Sequence, residues 1–321
     1  MVRVGVDGSL DRELFNDFTK AVELVWLPTD LDHPIDIEFL IAPFKLDTFK
    51  RHLPYLRGLK VIQCLWAGVD TILPLIPPGV VLCDARGIHD IPTAEWTVAA
   101  ILAMQKYLPV YVEFQAKEDW QGRLAVQDLH IAIHKRPNVH PSARFVDEVA
   151  GKTVLIVGYG SIGQAIEARL TPFGSKFLRV ARSARPGVHT VEQLDDLLPQ
   201  ADILILITPL TSETRHLMDA QRIGKLKQGA LLVNAGRGPV VNTDELVKAL
   251  VEGRIRAALD VTDPEPLPVG HPLWRAPNLL ITPHVAGSTE KFIGRGLKFA
   301  SEQAKRYAKG EPLENRVVGG Y

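Results

Sequence analysis

Short apolar runs alternate with helix-length amphipathic stretches along this chain. Residues 3–6, 37–42 and 60–65 form three such runs with helical periods between them. That alternation predicts the strands of a parallel α/β sheet. Residues 91–108 read as one long helix, opened by Pro92 and Thr93 and apolar on nearly every side, as expected of a helix buried between domains or subunits. A second strand–helix series starts at Thr153, with strands predicted over 154–157, 176–181, 201–207, 229–234, 257–260 and 279–282. The last helical stretch, 289–309, follows the close of that series. Its return to the first domain would make that domain discontinuous, and the pattern alone leaves this open.

Residues 120–149 break the pattern. The segment is polar, shows no clear period, and carries His130, His134 and His140 with Lys135, Arg136 and Arg144. Loops of this length inside compact domains tend to be functional or mobile. His130 and His134 have the spacing of metal ligands one helical turn apart. No nearby Cys or carboxylate completes a set, so no metal is expected and the segment reads as a surface or interface arm.

The densest signal is Val154-Leu-Ile-Val-Gly-Tyr-Gly-Ser-Ile-Gly163, a buried strand running into Gly158-x-Gly160-x-x-Gly163 and then an amphipathic helix. Gly158 permits the tight turn, Gly160 lets a pyrophosphate approach the backbone, and Gly163 lets helix pack on strand. The exposed amides and the helix dipole then hold phosphate. Strand before and helix after make this a dinucleotide site, with Tyr159, Ser161 and Ile162 completing the turn. The next strand selects the cofactor. An NAD-binding unit carries an acid there for the ribose 2′-hydroxyl. This chain has Arg182-Ser183-Ala184-Arg185 instead. Guanidinium groups and a hydroxyl suit a 2′-phosphate that a carboxylate would repel. NADP(H) is therefore the expected cofactor, with NAD(H) as the alternative; a solvated basic turn would not account for the missing acid.

At 321 residues the chain is long enough for two domains. With 37 basic and 37 acidic residues it carries no net charge, which removes the electrostatic case for nucleic acid or anionic membrane. Cys64 and Cys83 lie in apolar runs and read as buried thiols, favouring a reducing cytoplasm over a disulfide scaffold. The opening residues read as a strand rather than a signal peptide, and no segment is long enough to span a bilayer.

Past the glycine turn, polar residues gather where strands end. Arg237 follows a strand in Asn234-Ala-Gly-Arg-Gly-Pro239. Asp260 closes the next, with Glu265 just beyond in Asp263-Pro-Glu-Pro266, and His284 ends the last. Ligands bind at the carboxyl edge of open α/β sheets, so these groups are expected to share one crevice. There the arginine would clamp a 2-keto acid and polarise its carbonyl. The histidine would donate a proton as hydride arrives, with a carboxylate orienting it.

The same residues carry a family resemblance. The Gly158–Gly163 turn, Asn234-Ala-Gly-Arg-Gly-Pro-Val-Val-Asn242, Ala258-Leu-Asp-Val-Thr-Asp-Pro-Glu-Pro-Leu267 and Pro283-His-Val-Ala-Gly287 resemble the signatures of the D-2-hydroxyacid dehydrogenases. The phrase from Asp260 to Pro268, with His271-Pro-Leu273 after it, is most similar to the glyoxylate/hydroxypyruvate reductase branch, which commonly uses NADPH. The resemblance implies Arg237, Glu265 and His284 as the catalytic trio and Asp260 as a contact to the nicotinamide carboxamide. It further implies that Thr208, Pro209, Thr214, Ala235, Gly236 and Gly287 line the cofactor. The loop Trp66-Ala67-Gly68 would hold the substrate carboxylate through its amides. It implies two Rossmann-like, doubly wound parallel-sheet domains with a cleft that closes on the ternary complex. The substrate domain would be discontinuous, at 1–102 and 288–321, and the dinucleotide domain would cover 103–287. An arm near 103–150 would form a homodimer.

Two features depart from the family. Residues 120–149 are longer than their counterpart, so the histidine-bearing arm reads as an insertion expected to reach across the dimer and shape the partner's substrate pocket. Arg86, in Cys83-Asp-Ala-Arg-Gly87, stands where many relatives carry an asparagine-bearing loop. It is a candidate second contact to the substrate anion, set against an ordinary surface arginine. The expected activity is reduction of a small 2-keto acid to the D-2-hydroxy acid. Other specificities (phosphoglycerate, D-lactate, phenylpyruvate) and a nucleotide-sensing corepressor are the alternatives.

Overall fold

The computed structural model describes residues 1–16, 18, 22–135 and 146–317. Two compact units divide the chain. Unit 1 comprises residues 1–89 and 289–321, and unit 2 comprises 90–288.

In unit 1 the strands are β1 (Val2–Asp7), β2 (Val22–Leu27), β3 (Ile35–Asp36), β4 (Phe39–Ile41), β5 (Leu56–Arg57), β6 (Val61–Gln63) and β7 (Val81–Cys83), with helix α1 (Leu46–His52) between β4 and β5. The main sheet is parallel in the order β2-β1-β4-β6-β7, while β3 and β5 form a separate two-residue ladder. The expected strands at 3–6, 37–42 and 60–65 correspond to β1, β4 and β6. The sequence reading omits β2 and β7. β7 is only three residues long, and β2 is an edge strand, with partly exposed positions where a buried strand would be closed. The terminal helix, Phe292–Ala308, returns to this unit. Its Leu297, Ala300 and Ala304 pack into the core of Val4, Val6, Phe39 and Val61. Gln303 Nε2 donates to Gln63 Oε1 at 3.2 Å and to Glu314 O at 2.8 Å. Cys64 and Cys83 are free and buried, and burial pushes both thiols up.

Unit 2 holds β8 (Thr153–Val157), β9 (Lys176–Val180), β10 (Ile203–Leu206), β11 (Ala230–Asn234), β12 (Ile255–Leu259) and β13 (Leu279–Ile281). They form a six-stranded parallel sheet in the order β13-β12-β11-β10-β8-β9. The near-continuous Val/Ile/Leu character of β8, β10 and β11 is what burial on both faces requires. Helix α2 (Asp90–Gln105) lies in this unit, with Ala94, Ala100, Ile101 and Met104 in the core it shares with β8, β10 and β11. The chain therefore divides before α2, at 89/90, whereas the expected 102/103 boundary falls inside that helix.

The helix expected over 91–108 is two helices. α2 stops at Gln105, Tyr107 adopts left-handed φ 54°, and α3 (Leu108–Ala116) restarts with Pro109 in its first turn. Proline restricts the residue before it and removes an amide, so a restart costs less there than continuation.

The expectation of an aperiodic arm over 120–149 is corrected. α4 (Arg123–His134) buries Val126, Gln127, His130 and Ile133 on one face. Two of those four are polar, and this masks the hydrophobic period. His130 and His134 do not reach outward. Tyr107 Oη and His130 Nδ1 are 3.0 Å apart, and His134 Nε2 lies 2.8 Å from Asp147 Oδ2. His140, Arg136 and Arg144 lie outside the described residues. No helix among the described residues is long and apolar enough to cross a membrane.

Candidate active site

In unit 2 the strand order reverses between β8 and β10, so the turn after β8 opens at the switch point of the sheet. Gly158 has φ 97°, and a Cβ there would lie 2.7 Å from the backbone of Ile207, so only glycine passes. A Cβ on Gly160 would meet nothing closer than 4.0 Å, which leaves one side of the turn open to a ligand. Helix α5 (Ser161–Leu170) starts directly behind it, and Ser161 Oγ donates to Asp90 Oδ1 at 3.0 Å. Beside the turn, the buried Thr208 Oγ1 has no hydrogen-bond partner among the described residues. An orphaned hydroxyl beside an open glycine turn fits a dinucleotide. Pro209 and Thr214 instead serve the loop itself, since Thr214 Oγ1 donates to Pro209 O at 2.7 Å and accepts from Thr211 N at 2.8 Å.

No carboxylate follows β9. Arg185 Nη2 donates to the Tyr159 carbonyl, and its guanidinium lies 5.7 Å from the Tyr159 ring centroid. Arg179 lies 5.6 Å from the same ring and is held by Glu167, with Nε donating to Oε2 at 2.6 Å. Tyr159 thus carries two guanidinium groups, one committed to Glu167 and one on the exposed loop. The sequence reading missed Arg179 and Glu167; the signal was an arginine on β9 pointing back at the helix after the glycine turn. Arg182 and Ser183 are exposed.

At the same edge, Asn234 Oδ1 accepts from Gly236 N at 3.1 Å and its Nδ2 donates to Arg237 O at 2.9 Å, shaping the loop after β11. Ala235 is partly exposed there. A Cβ on Gly236 would lie 2.7 Å from Thr208 O, and one on Gly238 would lie 1.9 Å from Thr262 O. These glycines let three loops meet around Arg237, whose Nη1 donates to Gly236 O at 2.9 Å.

His284 follows β13 in left-handed conformation, with φ 55°. Asp260, which is 2% exposed, fixes it there. Its Oδ1 accepts from Thr282 Oγ1 at 2.6 Å and Val285 N at 2.9 Å, its Oδ2 from Ala286 N at 2.8 Å, and its carbonyl from His284 N at 2.7 Å. The carboxylate that the resemblance assigns to the nicotinamide carboxamide is thus already engaged in holding the turn that runs on to Gly287. His284 Nδ1 donates to Glu265 Oε1 at 2.5 Å. That bond raises the imidazole pKa against the opposing effect of burial, and lowers that of Glu265. Arg237 is close enough to act on both charges. The result is an imidazole whose protonated form is favoured by a paired carboxylate, with a guanidinium beside it.

In unit 1, Trp66, Ala67 and Gly68 form the turn after β6, and Ala85 N donates to Trp66 O at 3.0 Å. Arg86 N and Nε both donate to Asp84 Oδ1 at 3.0 Å. Asp84 is wholly buried, and its other oxygen has no partner among the described residues. Arg86 is therefore anchored from beneath, with half its side chain exposed.

The expectation that no carboxylate completes the His130–His134 pair is also corrected. The donor atoms of His130, His134 and Asp147 lie within 4.8 Å of one another. Asp147 is, however, already matched by Arg256 Nη2 at 3.1 Å and Lys152 Nζ at 3.2 Å. A divalent ion would add charge to a site with one carboxylate and two permanent cations, so the electrostatics favour a salt-bridge network.

Residues 98–286 match the family described as D-isomer specific 2-hydroxyacid dehydrogenase, NAD binding domain. A glyoxylate reductase from Thermofilum pendens is 36% identical, covering 79% of this chain and 73% of its own. The human glyoxylate reductase/hydroxypyruvate reductase is 38% identical over 81% and 77%. Among solved structures, an NADPH-dependent glyoxylate/hydroxypyruvate reductase from Sinorhizobium meliloti, in complex with NADP and sulfate, is similar with a TM-score of 0.79. It is 26% identical, over 99% of this chain and 98% of that one.

Proposed function

This chain belongs to the D-isomer specific 2-hydroxyacid dehydrogenase family, and from that premise we propose that it is an NADPH-preferring reductase of small 2-keto acids of the glyoxylate/hydroxypyruvate type. The observation that carries the chemistry is the 2.5 Å pair of His284 and Glu265 beside Arg237. When bound, the nicotinamide supplies the hydride. The chain's own residues do the rest. Arg237 and the amides of the Trp66-Ala67-Gly68 turn hold the substrate carboxylate. His284, kept cationic by Glu265, delivers a proton to the carbonyl oxygen as negative charge develops on it. One proton and one hydride convert the ketone to the D-2-hydroxy acid.

Cofactor preference rests on the absence of an acid after β9 and on Arg185 seated over Tyr159. Initial rates at 340 nm with glyoxylate and hydroxypyruvate are expected to favour NADPH over NADH in kcat/KM. Arg185→Ala is expected to cut that preference by about tenfold or more, the scale of a charged hydrogen bond to phosphate. Equal or better use of NADH by the unaltered protein would overturn the preference.

We also propose a homodimer, in a reducing cytoplasm that suits two buried free thiols. Its interface is assigned to α3 and the start of α4. There Val112 is 61%, Trp120 79% and Leu124 44% exposed, and exposed apolar side chains of this kind are what an interface between subunits would cover. Sedimentation at the 35.5 kDa of one chain would exclude it.

A further inference from the structure

Unit 1 has a switch point of its own. β1 ends at Asp7 with β2 on one side and β4 on the other. A crevice opens outside strand ends at such a reversal, which is where open α/β sheets take ligands. A cavity of about 170 Å³ lies there, lined by Asp7, Ser9, Thr29, Lys45 and Thr48, with Phe44 as an aromatic wall. Its walls are fixed. Gly8 N donates to Leu27 O at 2.8 Å, and a Cβ on Gly8 would lie 2.7 Å from that oxygen. Asp7 Oδ1 accepts from the amide and hydroxyl of Ser9 at 2.9 and 2.7 Å. Arg51 Nη1 donates to Thr29 O at 3.1 Å.

The lining offers three hydroxyls, one ammonium and one carboxylate. The carboxylate is the opposing charge for an anion, and the two donors of Ser9 disperse it. Phe44 connects this recess to the Trp66-Ala67-Gly68 turn, because its ring centroid is 5.6 Å from that of Trp66 and 5.6 Å from that of Phe292. We propose that the recess receives the anionic tail of a dicarboxylic 2-keto acid. A methylene stem lies along Phe44, and the terminal carboxylate meets Lys45 and the hydroxyls of Thr29 and Thr48. The inference rests on the reading above that the Trp66-Ala67-Gly68 turn takes the 2-carboxylate. It makes glyoxylate, which has no side chain, a substrate that leaves the recess unused.

The test compares 2-oxoglutarate with 2-oxopentanoate, which share a stem and differ in ending with a carboxylate or a methyl group. With NADPH, kcat/KM is expected to favour 2-oxoglutarate by about tenfold or more, the scale of one charge-assisted hydrogen bond. Lys45→Met is expected to abolish that ratio and Lys45→Arg to restore it. Turnover of glyoxylate with no preference for the dicarboxylate, or a preference that Lys45→Met leaves intact, overturns the recess and spares the catalytic reading. If no 2-keto acid is reduced, the catalytic reading falls and the recess is judged by calorimetric titration with glutarate and pentanoate. A preference for glutarate that Lys45→Met removes upholds it; equal or absent binding overturns it.

Discussion

Replacing His284 with glutamine is expected to lower kcat for 2-keto acid reduction by about 10²–10⁴-fold, the range that a positioned general acid contributes. The affinity for NADPH, measured by fluorescence titration, is expected to change little, since the phosphates are assigned to the turn at Gly158–Gly163. Glu265→Gln separates orientation from charge. Glutamine can still accept the Nδ1 hydrogen bond, but it no longer stabilises the imidazolium. His284 has its pKa raised, chiefly by the Glu265 hydrogen bond. Reduction needs the protonated ring, so kcat/KM is expected to stay level below that raised pKa and to fall as pH rises through it. In Glu265→Gln the falling limb moves to lower pH. The linkage to stability has the same sign for the histidine: its contribution is present below the unfolded pKa and lost as pH rises through the folded one. For Glu265, whose pKa is lowered, the contribution is lost as pH falls. Both side chains are 40% or more exposed, so this pair is read in the rate profile and not in the melting temperature. A loss of less than tenfold in His284→Gln, or an unmoved limb in Glu265→Gln, would refute these roles.

Much of this site is legible in the sequence because it stands at strand ends. A buried parallel strand announces itself by continuous β-branched and leucine residues, and the polar residue that follows must lie at the sheet edge. Arg237, Asp260 and His284 are found that way, and the Gly158 turn likewise. Local pattern does not show what a carboxylate does once several amides converge on it. The resemblance assigns Asp260 to the nicotinamide, and the fold adds a second role, the clamp of the His284 turn. Nor does it show partners far apart in sequence. His134 finds Asp147, His130 finds Tyr107, and Arg256, inside a strand, is drawn into the same group. Unit 1 is less legible than unit 2 because β2 and β7 lie at the two edges of its sheet, where positions left partly exposed break the apolar run. The helix expected over 91–108 fails at Tyr107 for a local reason that was visible in Pro109.

Asp147→Asn is expected to destabilise the protein by about 3–5 kcal/mol, the cost of removing one partner from a buried charge pair. Asp147 is 6% and Arg256 2% exposed. The arginine is locked by Met104 O at 3.1 Å, Gln105 Oε1 at 2.7 Å and Gly229 O at 3.2 Å, so it cannot turn to solvent when its counter-charge goes. The network joins the end of α2, the end of α4 and the start of β12. A drop of about 5–10 °C in the thermal midpoint is expected on that energy. Burial pushes the Asp147 carboxyl up, but the His134 hydrogen bond and the charges of Arg256 and Lys152 outweigh it and hold the group well below the usual carboxylate range. Its contribution is therefore complete above the ordinary carboxylate pKa of about 4 and is lost only as pH falls toward the depressed value. The gap in midpoint between the natural protein and Asp147→Asn should stay constant from neutral pH down to about 4 and narrow below it. Replacing both charges, Asp147→Leu with Arg256→Met, is expected to recover most of the loss, because an apolar pair leaves no charge buried without a partner. If the single substitution costs less than about 1 kcal/mol, the network is ornamental, and α4 is held chiefly by the apolar cluster of Val126 and Ile133 with Tyr107.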